Sequence, residues 1–202
     1  MGRIRTHTNP FNFYKKLDPV DFDEVFPNYS GTIDMEIGFG RGVFVRSYAK
    51  NNPNKSILAM DIRKSVVDLL NERLEKEGIE NVYLVHSTGE RCVEDLIGEE
   101  GIENIFVFHP DPWIKKRHHK RRLINKEFLE ILKTKTKPKG RLYLSTDVES
   151  LWESMNEQIE QVNFLKKIED GNFWTTYYQT HWHEFSEKNG RSLFKGVFEF
   201  NP

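Results

Sequence analysis

Thr32-Ile33-Asp34-Met35-Glu36-Ile37-Gly38-Phe39-Gly40-Arg41-Gly42 is the stretch that decides the fold. An apolar run of strand length ends beside an acid, and three glycines then alternate with larger residues. Short apolar runs bounded by turn signals read as buried strands. Glycine accepts φ > 0 and lets a ligand come close to the backbone. Val43 to Lys50 reads as the first turns of a helix whose N-terminal amides face that ligand. A second strand, Ser56 to Met60, ends at Asp61, 19 residues beyond Gly42 (61 − 42). In nucleotide-binding folds an acid at that place accepts hydrogen bonds from both hydroxyls of a ribose. The plainer alternative is an ordinary turn followed by a helix-capping Asp61.

The glycine spacing separates two uses of such a unit. Dinucleotide enzymes carry G-x-G-x-x-G, with a pyrophosphate at the helix N-terminus. Here the spacing is G-x-G-x-G, and Glu36 stands two residues before the first glycine. A carboxylate so placed repels a pyrophosphate. It suits a ligand with a cationic end. S-adenosylmethionine carries an adenosine, a sulfonium and an amino group, and no phosphate. The residues favour it over NAD.

Outward from this unit, helix and strand patterns alternate. Arg63 to Lys76 has helical spacing (Val66, Val67, Leu70, Leu74) and closes on Gly78. Asn81 to Val85 reads as a third strand, with His86, Ser87 and Thr88 at its end. Gly89 to Ile97 reads as a short helix, and Ile105 to Phe108 as the fourth strand. The apolar face Leu123, Phe128, Leu129, Ile131, Leu132 predicts a helix that extends the preceding basic run. Gly140 to Ser145 is a fifth strand, and Thr146-Asp147 caps a helix to about Val162. Such alternation predicts a mostly parallel, three-layer α/β sheet. Ligands of these sheets bind outside the carboxyl ends of the strands. Glu36, Asp61, Ser87, Asp111 and Asp147 all fall at strand ends, which is stronger evidence than any one of them.

After the fourth strand comes Phe108-His109-Pro110-Asp111-Pro112-Trp113, then six Lys/Arg and two His in the eight residues 115 to 122. Each proline fixes its own φ, removes a donor and restricts the residue before it. The turn is therefore stiff, and it presents one carboxylate and one large ring beside a cationic patch. That combination suits holding a base next to a phosphate backbone. The plainer reading is a proline turn followed by a solvated charge run. Trp113 either stacks on a base or packs in the core.

The 202 residues fit one domain of residues 31–202 with a substantial core, preceded by an N-terminal arm of residues 1–30. In the arm, Arg3, Arg5, Lys15 and Lys16 alternate with Phe11, Phe13 and Tyr14, and Pro10, Pro19 and Pro27 break any helix. It reads either as a mobile arm or strap over the core, or as an arm that folds onto RNA or over the site. The formal net charge of -1 does not mark a polyanion binder, but the cations are locally concentrated. Cys92 is the single cysteine, expected to be buried on a helix, so no intrachain disulfide and no cysteine metal cluster forms. The N-terminus lacks a signal-peptide core, and no apolar run approaches the ~20 residues of a membrane span. These features predict a soluble cytoplasmic protein, a monomer or a homodimer, with no membrane partner.

Glu36-Ile37-Gly38-Phe39-Gly40-Arg41-Gly42, Pro110-Asp111-Pro112-Trp113, the run Lys115 to Arg122, and Thr146-Asp147 together resemble the bacterial tRNA (guanine-N7-)-methyltransferases over roughly residues 33 to 200. The resemblance implies a class I S-adenosylmethionine-dependent methyltransferase fold: Rossmann-like, with a seven-stranded sheet whose last strand is antiparallel. It implies methyl transfer from S-adenosyl-L-methionine to N7 of a guanine in the tRNA variable loop. Glu36 and Asp61 match cofactor-binding acids, and Gly38, Gly40 and Ser87 complete the expected cofactor set. Asp111 matches the catalytic aspartate, placed at the cofactor as well. Lys115 and Asp147 match tRNA-contacting positions; Thr180 and His183 are the expected substrate-side residues of the late motif, where either His183 replaces the family glutamate or the loop shifts by one residue to Glu184. Two departures stand out. The family carries an acid at the end of the third strand, where this chain has Ser87-Thr88. Its late Thr-x-aromatic-Glu reads here as Thr180-His181-Trp182-His183, with Glu184 one place late. His181 and His183 have the spacing of opposite strand faces, which argues against a metal site.

Guanine N7 has a lone pair and no proton, so no general base is required. The protein has to place N7 in line with the methyl group and sulfur. Two other readings compete: an RNA-binding module with this fold and no chemistry, and methylation of an exocyclic or amide nitrogen in another RNA or a protein. The intact Glu36, glycine and Asp61 set argues against the first. Asn/Asp-Pro-Pro-aromatic turns of amino-nitrogen methyltransferases keep the second in view.

Overall fold

The structure is a computed structural model that describes residues 9–201. Strands β1 (Ile33–Ile37), β2 (Ile57–Asp61), β3 (Val82–His86), β4 (Ile102–Phe108), β5 (Thr136–Thr146), β6 (Leu165–Ile168) and β7 (Phe194–Phe200) form one sheet in the order β3-β2-β1-β4-β5-β7-β6. Neighbours from β3 through β5 are parallel, and β7 runs antiparallel to both β5 and β6. The expected seven-stranded α/β architecture with an antiparallel last strand is thus present.

Alternation along each strand sends its side chains to two helical layers. Ile105 and Val107 of β4 join one core with Met35, Cys92, Phe128 and Leu151. Phe106 and Phe108 join the other with Phe44, Tyr48, Tyr143 and Phe173. The first core is covered by α4 (Gly89–Leu96), α5 (Lys126–Lys135) and α6 (Glu149–Glu160). The second is covered by α2 (Val43–Asn51), α3 (Lys64–Glu77) and α7 (Gly171–Thr176). Strand order reverses at β1, with β2 on one side and β4 on the other. A crevice opens at the carboxyl ends where such a reversal occurs. On β1 the second face carries Asp34 and Glu36, both buried. Asp34 is held by Tyr48 Oη–H at 2.9 Å and Asn104 Nδ2–H at 2.7 Å.

The arm readings divide along its length. Residues 1–8 lie outside the described residues. Leu17 donates its N–H to Asp95, and Phe26, just after the short helix α1 (Phe22–Val25), is buried in the first core. Phe13 meets the edge of His86 at 5.4 Å.

Three local expectations are corrected. The basic run and the next helix are not continuous: Lys116–Arg121 forms a 3-10 turn, Arg122 is extended, and α5 starts separately at Lys126 with Asn125 capping Phe128 N–H. Like charges three and four apart disfavour a helix through this run. β5 begins at Thr136, four residues before Gly140, with a register shift opposite Ile102 and Asn104. Gly140 sits in that irregularity, where a Cβ would meet Thr136 Cγ2 at 2.4 Å and the carbonyl oxygens of Glu103 and Lys137 at 2.9 Å. His181 and His183 lie on a helix, α8 (His181–Lys188), not on a strand. Thr180 caps it by accepting His183 N–H, and this outweighs the alternating pattern. Two places apart, the histidines still point to different sides. Among the described residues no helix is long and apolar enough to cross a membrane.

Candidate active site at the β1–β4 crevice

A cleft of about 920 Å³ opens at the carboxyl ends of β1, β2 and β4. Glu36, Gly38, Gly40, Asp61, Ser87 and Asp111 all line it, so the structure gathers the whole expected cofactor set. The glycine loop turns with φ of +80° at Gly38 and +56° at Gly40, a region that favours glycine. At Gly42 (φ +67°) a Cβ would strike Leu70 at 2.5 Å, so this glycine also lets α2 and α3 close together.

Two acids of the cleft, Asp61 and Glu36, are compensated differently. Asp61 accepts from Gly40 N–H at 3.1 Å, from Arg63 N–H at 3.0 Å, and from Arg63 Nε and Nη2 at 2.9 and 2.7 Å. Its charge is matched by a guanidinium, and that pairing holds the Arg63 pKa up. Among the described residues Glu36 has no such partner. The Val45 N–H, in the first turn of α2, is the one donor that favours its ionised form, and Oε2 is buried without a hydrogen bond. Burial, and then the charge of Asp61, push its carboxyl up to about 8. An uncompensated buried carboxylate is costly unless a cation reaches it. Arg63 was not singled out from the sequence. Its signal was available, two residues after the strand-end acid.

The two hydroxyls at the end of β3 differ in their hydrogen bonds. Thr88 Oγ1 accepts Arg91 N–H at the start of α4, and its hydroxyl also engages Glu90. Ser87 Oγ is buried and has no partner. Ser87 is therefore the group with hydrogen-bonding capacity to spare.

The Pro-Asp-Pro turn is held from both sides. His109 and Trp113 have φ of +49° and +42°. Left-handed backbone is uncommon for residues with a side chain and costs of order 1–3 kcal/mol. Trp113 is mostly buried, with the Arg121 guanidinium 4.9 Å above its ring and His118 edge-on at 5.8 Å, yet it lines the cleft. Arg122 donates to the Pro112 carbonyl at 3.1 Å. The arginines at the end of the run thus serve rings and backbone. Lys115, Lys116, Arg117 and Lys120 are exposed.

The expected substrate-side residues are not equivalent. Lys115 is exposed, two residues beyond the cleft-lining Trp113. Asp147 has a fully buried side chain, tied to His109, Ser186 and Arg191. Thr180 caps α8 and lines the cleft together with His181 and Trp182. His183 faces Glu187 at 3.5 Å and the Tyr178 ring at 5.1 Å, while Glu184 accepts from Gln179.

A seven-stranded sheet of this order, with a glycine loop and paired acids at its switch point, defines the class I S-adenosylmethionine-dependent methyltransferase fold. Solved structures agree: 16S rRNA methyltransferase KamB superimposes with a TM-score of 0.63 at 14% identity over 90% of this chain and 93% of that one. An antibiotic-related methyltransferase gives 0.61 at 17% over 92% and 96%. A family model described as putative methyltransferase matches residues 30–197. The chain is 36% identical over 154 residues to the tRNA (guanine-N(7)-)-methyltransferase of Legionella pneumophila, covering 76% of this chain and 63% of that protein. For that of Nitrosococcus oceani the figures are 34%, 71% and 59%. For that of Francisella philomiragia they are 30%, 78% and 69%. The chain belongs to the tRNA (guanine-N7-)-methyltransferase family. It spans about three fifths of the length of the first two of these relatives.

Proposed function

We propose that this protein transfers a methyl group from S-adenosyl-L-methionine to N7 of a guanine in the variable loop of tRNA, a substrate that places it in the cytoplasm. One observation carries the reading. Glu36, Asp61 and Asp111 line a single cleft, and the exposed lysines of residues 115 to 120 follow directly on the turn that presents Asp111.

The chain's own groups fit the cofactor. Among the described residues Glu36 is an acid without a cation and Ser87 a hydroxyl without a partner, and both face the cleft. Glu36 binds the cationic part, Asp61 the ribose once Arg63 yields its carboxylate, and Ser87 the adenine. The cofactor supplies the electrophilic methyl group. Asp111 then orients the guanine edge and offsets the positive charge that builds on the base. Trp113, with its ring at the cleft wall, limits where the base can lie. Lys115, Thr180 at the cleft wall and His183 one place beyond the cleft-lining Trp182 bear on the RNA.

The test is methyl transfer to a tRNA transcript, followed by reductive cleavage at N7-methylguanine. Cleavage at one variable-loop guanine is expected. Label on an exocyclic amine would instead support the amino-nitrogen reading.

The basic run gives a second expectation. Each phosphate neutralised makes log affinity fall with log salt by roughly 0.7–0.9. Lys115→Ala with Lys116→Ala is expected to raise the tRNA KM and flatten that slope by one to two such contributions. S-adenosylmethionine affinity should stay constant, because neither lysine lines the cleft. An unchanged salt slope would make these lysines a solvated face, and would move the RNA contact to Lys15, Lys16 and the exposed Phe11 and Tyr14 of the arm.

A further inference from the structure

Five segments meet in a buried polar chain beside the Asp111 turn. Ser145 Oγ lies 2.8 Å from Tyr178 Oη, and Tyr178 Oη lies 3.0 Å from His109 Nε2. His109 Nδ1 lies 3.5 Å from Asp147 Oδ1. Asp147 Oδ2 also accepts from Ser186 Oγ at 3.1 Å and Arg191 Nη1 at 2.8 Å. The His109 and Asp147 side chains are 1% and 0% exposed. With a neutral imidazole, one proton arrangement satisfies every pair. Ser145 donates to Tyr178, Tyr178 donates to Nε2, and Nδ1–H donates to the carboxylate.

The chain joins the end of β4 to the end of β5, the turn after α7, the helix α8 and the residue Arg191 beyond it. His109 is also the residue whose left-handed backbone starts the turn, two places before Asp111, and its own N–H donates to the Ser145 carbonyl at 2.8 Å. Nothing in the methyl-transfer chemistry consumes these groups. They instead over-determine one backbone conformation, the condition under which strained dihedrals persist at a working site.

We propose that His109 is a positioning residue, whose ring, clamped between Tyr178 and Asp147, fixes the turn that presents Asp111 and couples it to the α7–α8 segment, so that Thr180, His181 and Trp182 keep their places across the same cleft. The inference rests on the methyl-transfer reading for its kinetic consequence and not for its structural one. Asp147, on this account, acts through His109 and not by touching RNA.

The test uses His109→Gly, His109→Asn, Tyr178→Phe and the pair His109→Gly/Tyr178→Phe in the full chain. Glycine relieves the φ of +49° but removes the ring. If the backbone alone mattered, His109→Gly would keep activity. We expect it to lower kcat roughly 10- to 100-fold, the usual effect of a misplaced catalytic group. Cofactor affinity should change less than threefold. Asparagine, which tolerates the left-handed region and keeps a polar end, should recover part of the loss. Tyr178→Phe should cost less alone, and nothing further on top of His109→Gly, since residues acting through one network are non-additive. Amide exchange over residues 108–114 provides a readout free of the reaction, and it should quicken in His109→Gly while β1 and β2 stay protected. Wild-type kcat and wild-type exchange in His109→Gly, or additive losses in the pair, would overturn the proposal. Failure of the wild-type protein to methylate tRNA would overturn the functional reading and leave the exchange experiment decisive for His109.

Discussion

Asp111→Ala is expected to lower methyl transfer to tRNA by roughly 10²- to 10³-fold, the range seen when one preorganised group facing developing charge is removed. In the proposed reaction the guanine starts neutral and ends cationic at N7, so a fixed carboxylate at the base would be worth more in the transition state than in the bound ground state. That difference, and not binding as such, lowers the barrier. The loss should therefore fall mainly on kcat. The surroundings of Asp111 make the experiment clean. It stands between two prolines, and its neighbours His109 and Trp113 are held by their own partners. Truncation should leave the turn in place. Arg63, which feels the charges of both Asp61 and Asp111, keeps its bonds to Asp61. Asp111→Asn should lie between wild type and alanine, because an amide still orients the guanine edge without the charge. Thermal denaturation should show little change for either. Wild-type turnover in both variants would reduce Asp111 to a turn residue.

What the sequence made legible was local. The β1 strand, its glycine loop and Glu36 lie within eleven residues, and Asp61 at the next strand end follows from the same βαβ unit. The unit must close on itself around a ligand, so pattern and geometry coincide. The Pro-Asp-Pro turn was legible because proline restricts the backbone whatever surrounds it. Less legible was anything decided by partners far along the chain. Asp147 has the look of a strand-end acid open to a substrate. Its carboxylate turns inward because His109, Ser186 and Arg191 arrive from 38, 39 and 44 residues away. The helix expected to extend the basic run does not form across it, because like charges three and four apart along the run repel, which the apolar spacing does not reveal. Thr180-His181-Trp182-His183 resembles an alternating strand only until Thr180 is recognised as a cap, with Glu184 as the acid of the first turn. Arg63 shows a third kind of limit. That Asp61 stands at a strand end is readable, but that Arg63 is the donor holding it depends on a side chain's reach.

Glu36→Gln should separate stability from cofactor binding, and in opposite directions. In the folded chain the Glu36 carboxyl is pushed up to about 8 from an ordinary 4.5, first by burial and then by Asp61. Between these values the folded protein keeps a proton that the unfolded chain gives up. Stability then falls as pH rises, because the folded state binds more protons. The contribution is fully present below the ordinary value and is lost through about pH 8. At roughly 1.4 kcal/mol per unit, the loss amounts to about 3–5 kcal/mol. Glutamine has no proton to lose. Wild type and Glu36→Gln should therefore unfold alike near pH 4.5, and the variant should be the more stable by several kcal/mol near pH 8.5. Cofactor binding should run the other way. A cation entering the cleft favours the ionised carboxylate, so binding below pH 8 should release close to one proton. Calorimetry of S-adenosylmethionine or S-adenosylhomocysteine binding at pH 6.5, in buffers of different ionisation enthalpy, counts that proton directly. The count should fall towards zero above pH 9 and be absent in Glu36→Gln, which should also bind at least tenfold more weakly. Proton release that persists in the variant, or a stability difference that ignores pH, would show that the cation is met by another group and that Glu36 is not its partner.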